Sequence, residues 1–255
     1  MRDLTYPPIV VAVKSTVRLL GQRIVITGAE HIPRSGGALL AVNHLSYVDF
    51  VYSGLAAQPS KRLVRYMAKR ELFDHRLAGP LMRSLHHIEV DRGSGIASYQ
   101  TAVEYLRRGE VVGIFPEATI SRSMELKELK TGAVRIAAAA GVPLVPVVLW
   151  GTQRLLTKDR PRDFSRGTTI SIHVGEAQHP GADHPVAETA ALKAALGALL
   201  DTAIRTYPQA HLQPGAWWVP ASYGGAAPTP DEAAALDARE KRERAARRTA
   251  KRAPR

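Results

Sequence analysis

Apolar and polar positions alternate between two periods along this chain. Short apolar runs at 23–27, 38–43, 63–68, 86–90, 111–115, 144–149 and 169–174 read as strands. Between them, residues 47–57, 72–84, 95–108 and 130–140 carry helical spacing. Residues 8–22 and 185–206 read as an opening and a late helix. Strand-helix alternation predicts an α/β domain with a mostly parallel or mixed sheet flanked by helices. In such sheets, sites gather at the carboxyl ends of the strands.

The division expected is a helix over 1–22, a main domain over 23–212, and a Pro/Gly loop with a basic tail over 213–255. Residues 231–252 combine Ala with alternating charge and predict a solvated helix or a disordered tail. The opening helix is amphipathic, with Ile9, Val10, Val13, Val17 and Leu20 near one face. At about 22 Å it is too short to span a bilayer core. It suits either an anionic membrane interface or ordinary packing. The longest apolar stretch, Ile136 to Trp150, is broken by Gly141, Pro143 and Pro146, so no spanning helix is predicted. The N-terminus shows no secretory signal pattern.

The 255 residues are 45% hydrophobic, enough for a sizeable core, and carry 35 Lys and Arg against 23 Asp and Glu, a net +12. The tail from 231 holds nine basic and five acidic side chains, so the body keeps +8. A basic body points to an anionic partner: a phospholipid surface, a phosphate substrate or nucleic acid. The tail has no interleaved aromatics, which weighs against nucleic acid. With no cysteine, disulfides, a thiol nucleophile and thiolate metal sites are excluded. No convincing metal-ligand cluster stands out. His86 and His87, adjacent in an expected strand, would face opposite ways.

The candidate chemistry lies at strand ends. Asn43-His44-Leu45-Ser46-Tyr47-Val48-Asp49 follows the run 38–42. It sets an imidazole at a strand end and a carboxylate in the first helical turn, able to fix the imidazole tautomer for general-base work. A chance pairing, with Asp49 serving the helix dipole, fits the same residues. A second cluster, Phe115-Pro116-Glu117-Ala118-Thr119-Ile120-Ser121-Arg122-Ser123, presents a carboxylate, hydroxyls and a guanidinium. A third, Ile88-Glu89-Val90-Asp91-Arg92, places Arg92 at a cleft or in a salt bridge with its acidic neighbours. Lys130-Thr131-Gly132 precedes a helix, where backbone amides can meet an anion. Leu72, Phe73, Leu77, Leu81 and Met82 have helical spacing and read as core, or as the lining of an apolar groove.

The ordered blocks Asn43-His44-x-Ser46-x-x-Asp49, Arg92, Phe115-Pro116-Glu117-x-Thr119 and Val145-Pro146-Val147-Val148 resemble the lysophospholipid acyltransferase superfamily. Its nearest branch is the bacterial 1-acylglycerol-3-phosphate acyltransferases. The resemblance covers roughly residues 20–175 and implies a glycerolphosphate-acyltransferase-like fold. It implies transfer of an acyl group from acyl-CoA or acyl-carrier protein to the free hydroxyl of 1-acylglycerol-3-phosphate, giving phosphatidic acid, with no cofactor and no metal. His44 and Asp49 are the implied catalytic pair. Asn43, Ser46, Arg92, Glu117, Thr119, Arg122 and Lys130 are the implied substrate-binding set, with Asn43 and amides near 117–119 as oxyanion donors. The implied location is peripheral, on the anionic cytoplasmic face of the plasma membrane. Ala118 and Ile120 depart from the usual Gly and Arg of that family, and the Arg is associated with the acceptor phosphate. A different lysolipid or glycolipid alcohol is therefore the alternative acceptor. A non-enzymatic membrane or nucleic-acid binding protein is the other alternative.

Overall fold

The computed structural model describes residues 3–91, 95–208 and 215–252. Seven strands form one sheet: β1 (Arg23–Thr27), β2 (Ala38–Val42), β3 (Val64–Lys69), β4 (Ile88–Val90), β5 (Val111–Ile114), β6 (Leu144–Trp150) and β7 (Thr169–Val174). Their order is β1-β7-β6-β2-β5-β3-β4. The strands β6, β2, β5, β3 and β4 run parallel, and β6 pairs antiparallel with β7. β1 pairs parallel to β7 at the far edge, so the sheet is mixed.

The helices are α1 (Tyr6–Leu19), α2 (Asp49–Ala56), α3 (Arg70–Phe73), α4 (Ala78–Ser84), α5 (Gly95–Arg107), α6 (Gly132–Ala140), α7 (Pro185–Arg205) and α8 (Pro230–Arg252). Leu39 and Ala41 of β2 enter a core with α5, α6 and α7, whereas Ala38, Leu40 and Val42 enter a second core with α2 and the inner side of α1. β2 and β6 are buried at every position, which is why they read as unbroken apolar runs rather than alternating ones.

Several local expectations change. The segment 72–84 is two short helices, because residues 74–77 turn between Phe73 and Ala78. Only Phe73 of the expected groove set is buried; Leu72, Leu77 and Leu81 are exposed. The strand expected from 86 starts at Ile88. His86 lies at φ 54, outside the strand, and His87 accepts the Tyr66 amide through Nδ1 at 3.1 Å, so the opposite-faces reading does not describe them. Within the Pro/Gly-rich stretch read as loop, Trp218 and Val219 are buried, with Trp218 against Trp150 and Tyr207. The tail is helical, and two of its carboxylates reach the body rather than solvent.

Candidate active site

Three adjacent parallel strands deliver the site. β2 ends at Val42 and hands the chain to Asn43 and His44. β5 ends at Ile114, before Phe115-Pro116-Glu117. β6 ends at Trp150, before Gly151 and Thr152. Their carboxyl ends share one edge of the sheet, where the sequence placed the chemistry.

His44 Nδ1 lies 3.0 Å from Asp49 Oδ2. The same oxygen accepts the amides of Leu45 and Ser46, each at 2.7 Å, while Oδ1 accepts Thr152 Oγ1 at 2.6 Å. Asp49 is fully buried and His44 remains one-fifth exposed. A carboxylate can only accept, so the Nδ1–H donates and the Nε2 lone pair is left for a substrate. The chain reaches this arrangement because the β2-to-α2 turn folds back on itself, placing the first residue of α2 beneath the two amides that follow His44. Phe115 stacks on the imidazole with ring centroids 4.2 Å apart.

Glu117 ties the turns together. Its Oε1 accepts the His44 amide at 2.8 Å and its Oε2 the Lys127 amide at 2.9 Å. The His44 carbonyl accepts the Ser121 amide at 2.8 Å. Burial pushes the Glu117 carboxyl up to about 7 despite these two amide bonds. The side chain expected to bind substrate is thus buried and committed to backbone.

Asn43 and Ser46 have similar fates. The Asn43 amide donates to the Leu149 carbonyl at 3.1 Å and accepts its N–H at 2.8 Å, clipping β2 to β6. Ser46 Oγ donates to the Leu156 carbonyl at 2.5 Å. Both side chains are fully buried, so neither reaches a substrate. Of the loop amides, that of Ala118 is spent on the Phe115 carbonyl. Thr119 accepts Lys127 Nζ at 2.8 Å. Lys130 is exposed, with its amide on the Pro116 carbonyl. Arg92 lies outside the described residues; its expected acidic neighbours Glu89 and Asp91 each pair with Arg70 at 2.7 Å. Ile120 is buried, and Ala118 sits at φ 60, a left-handed conformation that suits the family's usual glycine.

Arg122 is brought beside the site but is not open. Its Nε donates to Asp159 at 2.5 Å, its Nη2 to Glu240 at 2.9 Å, and its Nη1 to Asp237. Burial works against its charge, but these carboxylates outweigh it and hold the guanidinium above its ordinary value. Thr152 reaches Asp49, the Lys127 amide reaches Glu117, and Lys158 shares Asp237 with Arg122; none of the three carried a motif signal. The hint was Gly151-Thr152 directly after a fully apolar strand. Gly151 has φ 101, and a Cβ there would stand 2.3 Å from the Thr169 carbonyl, so this sharp exit from β6 requires glycine.

An apolar cavity of about 70 Å³ opens between α1, α2 and β3, lined by Ile9, Val13, Phe50, Gly54, Leu55 and Tyr66 among others. Tyr66 stacks on Phe115 at 6.1 Å, and so adjoins the His44 stack. Among the described residues, no helix is long and apolar enough to cross a membrane, and no group of three or more His, Cys, Asp or Glu could hold a metal ion.

Residues 23–150 match the family described as Acyltransferase. A 1-acyl-sn-glycerol-3-phosphate acyltransferase of Bacillus subtilis (strain 168) is 38% identical over 123 residues, 48% of this chain and 60% of that protein. One of the same description from Borreliella burgdorferi is 29% identical over 168 residues, 64% of each chain. The matched stretch thus spans about three-fifths of these relatives' own length. The crystal structure of PlsC from Thermotoga maritima, a 1-acyl-sn-glycerophosphate acyltransferase, shares the fold at a TM-score of 0.66, with 23% identity over 79% of this chain and 80% of that one. With a family match over half its length, laid across the segments that carry His44, Asp49 and Glu117, this chain belongs to the Acyltransferase family.

Proposed function

We infer that this protein transfers a fatty acyl group from a thioester to the free hydroxyl of 1-acylglycerol-3-phosphate, giving phosphatidic acid. The carrying observation is the 3.0 Å contact of His44 Nδ1 with the buried carboxylate of Asp49. The names of the relatives supply the acceptor. An alcohol is a poor nucleophile at neutral pH. His44 Nε2 takes the hydroxyl proton as that oxygen attacks the thioester carbonyl. The tetrahedral intermediate then collapses, the carbon–sulfur bond breaks, and the imidazolium returns the proton to the departing thiolate. General base catalysis of this kind contributes about 10²–10⁴-fold. The alcohol attacks directly, so no acyl-enzyme is formed.

The cavity between α1 and α2 is apolar and adjoins the Tyr66–Phe115–His44 stack, so it offers an entry for an acyl chain, although at about 70 Å³ it holds only part of one. Peripheral attachment to the anionic cytoplasmic leaflet fits the basic body and the exposed Leu4, Val11, Leu77 and Leu81. The test is a panel: purified protein, acyl-CoA and acyl-carrier protein as donors, lysophosphatidic acid and other lysolipids as acceptors. Transfer to lysophosphatidic acid is expected, and its loss in a folded His44→Ala variant. Full activity in that variant would remove the proposed base.

A further inference from the structure

Three cations converge beside the catalytic turn: Arg122 and Lys127 from the loop after β5, and Lys158 from the loop after β6. All three meet one carboxylate. Asp237 Oδ1 accepts from Arg122 Nη1 and from Lys158 Nζ at 3.3 Å, while Oδ2 accepts from Lys127 Nζ. One turn along α8, Glu240 accepts Arg122 Nη2 at 2.9 Å and Lys158 Nζ at 3.2 Å. Asp159 holds Arg122 Nε from the far side. Donors that close on a single carboxylate from three directions have the layout of a site for a compact oxyanion.

The position of this cluster ties it to the reaction. The Lys127 amide holds one oxygen of Glu117, and the other oxygen holds the amide of His44. Ile120 is buried and brings no charge to this loop, whereas Arg122 and Lys127 of the same loop do. The charges balance in two ways. Arg122, Lys127 and Lys158 are neutralised by Asp159, Asp237 and Glu240, the last of which also pairs with Arg244 of α8 itself. They would be neutralised equally by Asp159 and a phosphate monoester, which carries about −1.5 to −2 at neutral pH.

The carboxylates of α8 are held by ion pairs rather than by packing. From residue 234 to 246 the helix has no buried residue; Ala233, at its start, is the buried one in the described part. Little apolar area fixes this stretch, so its attachment is largely ionic, and another anion can compete for the same donors.

We propose that Arg122, Lys127 and Lys158 bind the phosphate monoester of the acceptor, and that Asp237 and Glu240 of α8 stand in that site until the acceptor displaces them. This rests on the acyl-transfer reading above. The α8 carboxylates thereby tune acceptor affinity from outside the matched family region.

The test uses the full chain, with Asp237→Asn/Glu240→Gln as one variant and Lys127→Ala/Lys158→Ala as another. Thermal midpoints check that each still folds. With acyl-CoA saturating, the α8 variant should lower KM for lysophosphatidic acid about fivefold with kcat retained, and the lysine variant should raise it. The α8 variant should not lower KM for a monoacylglycerol, which lacks the phosphate. A second readout needs no turnover: calorimetric binding of sn-glycerol 3-phosphate, tighter in the α8 variant and lost in the lysine variant. Unchanged binding in both variants overturns the proposal. So does a KM change confined to acyl-CoA, which would assign the cations to the donor's phosphates. Binding that follows the prediction while wild type transfers nothing to lysophosphatidic acid would keep the phosphate site and sink the acyl-transfer reading.

Discussion

Glu117 accepts the backbone amide of His44 at 2.8 Å, so the carboxylate of the second motif holds the peptide of the first. The two blocks, 73 residues apart in sequence, are one structural unit. The unit is buried, and a charge there is costly.

That cost sets a pH dependence. The Glu117 carboxyl is raised from 4.5 to about 7 by burial. A folded-state value above the unfolded one favours the protonated form in the fold. The associated stability is fully present below about 4.5 and is lost as pH rises through about 7. The shift corresponds to a component on the order of 3 kcal/mol. Thermal melts from pH 5 to 8 should show this downward slope in wild type and a flatter one in Glu117→Gln. Because a Gln amide must set an N–H against a backbone N–H, that variant should also be less stable at pH 5, by about 1–3 kcal/mol.

Asp49→Asn should keep the fold but cut kcat by about 10²–10⁴-fold, with KM little changed. An amide cannot accept from all four donors that surround the carboxylate, and it permits the wrong imidazole tautomer. Steady-state kinetics on lysophosphatidic acid would show the split.

Thr152 is a positioning residue, acting through Asp49. Thr152→Val removes the 2.6 Å bond to Oδ1 and leaves that buried oxygen without its donor. Stability should fall by about 1–3 kcal/mol and kcat should fall with it, both recovering in Thr152→Ser. A valine variant with wild-type kcat would limit Thr152 to packing.

Ala118 pays for its φ of 60 with a Cβ clash that glycine lacks. Ala118→Gly should raise stability by about 1 kcal/mol, read as an increase in the urea midpoint at unchanged slope.

Gly54 borders the apolar cavity, and a Cβ there would stand 3.7 Å from the Tyr66 hydroxyl, in ordinary contact. Gly54→Leu would therefore extend into the cavity. If the cavity holds the acyl chain, kcat/KM over a series of acyl-CoA lengths should shift toward shorter donors. An unchanged profile would place the chain elsewhere.

Periodicity and motif order determined much on their own. The seven apolar runs all became strands, since short β-branched runs bounded by turn residues favour a sheet, and the central ones, β2 and β6, are buried on both faces of a parallel sheet. The spacing of His44 and Asp49 brought them together, because a helix opening two residues after a turn has little freedom to place its first side chain elsewhere. Tertiary structure decided the partners. Asn43 and Ser46 looked like substrate ligands by type and position, yet a fully buried amide or hydroxyl must bond what lies beside it, and here that is the backbone of Leu149 and Leu156. Thr152 joins Asp49 across 103 residues, and Asp237 joins Arg122 across 115. Such pairings depend on strand order and on how α8 returns to the sheet edge, neither of which local spacing encodes.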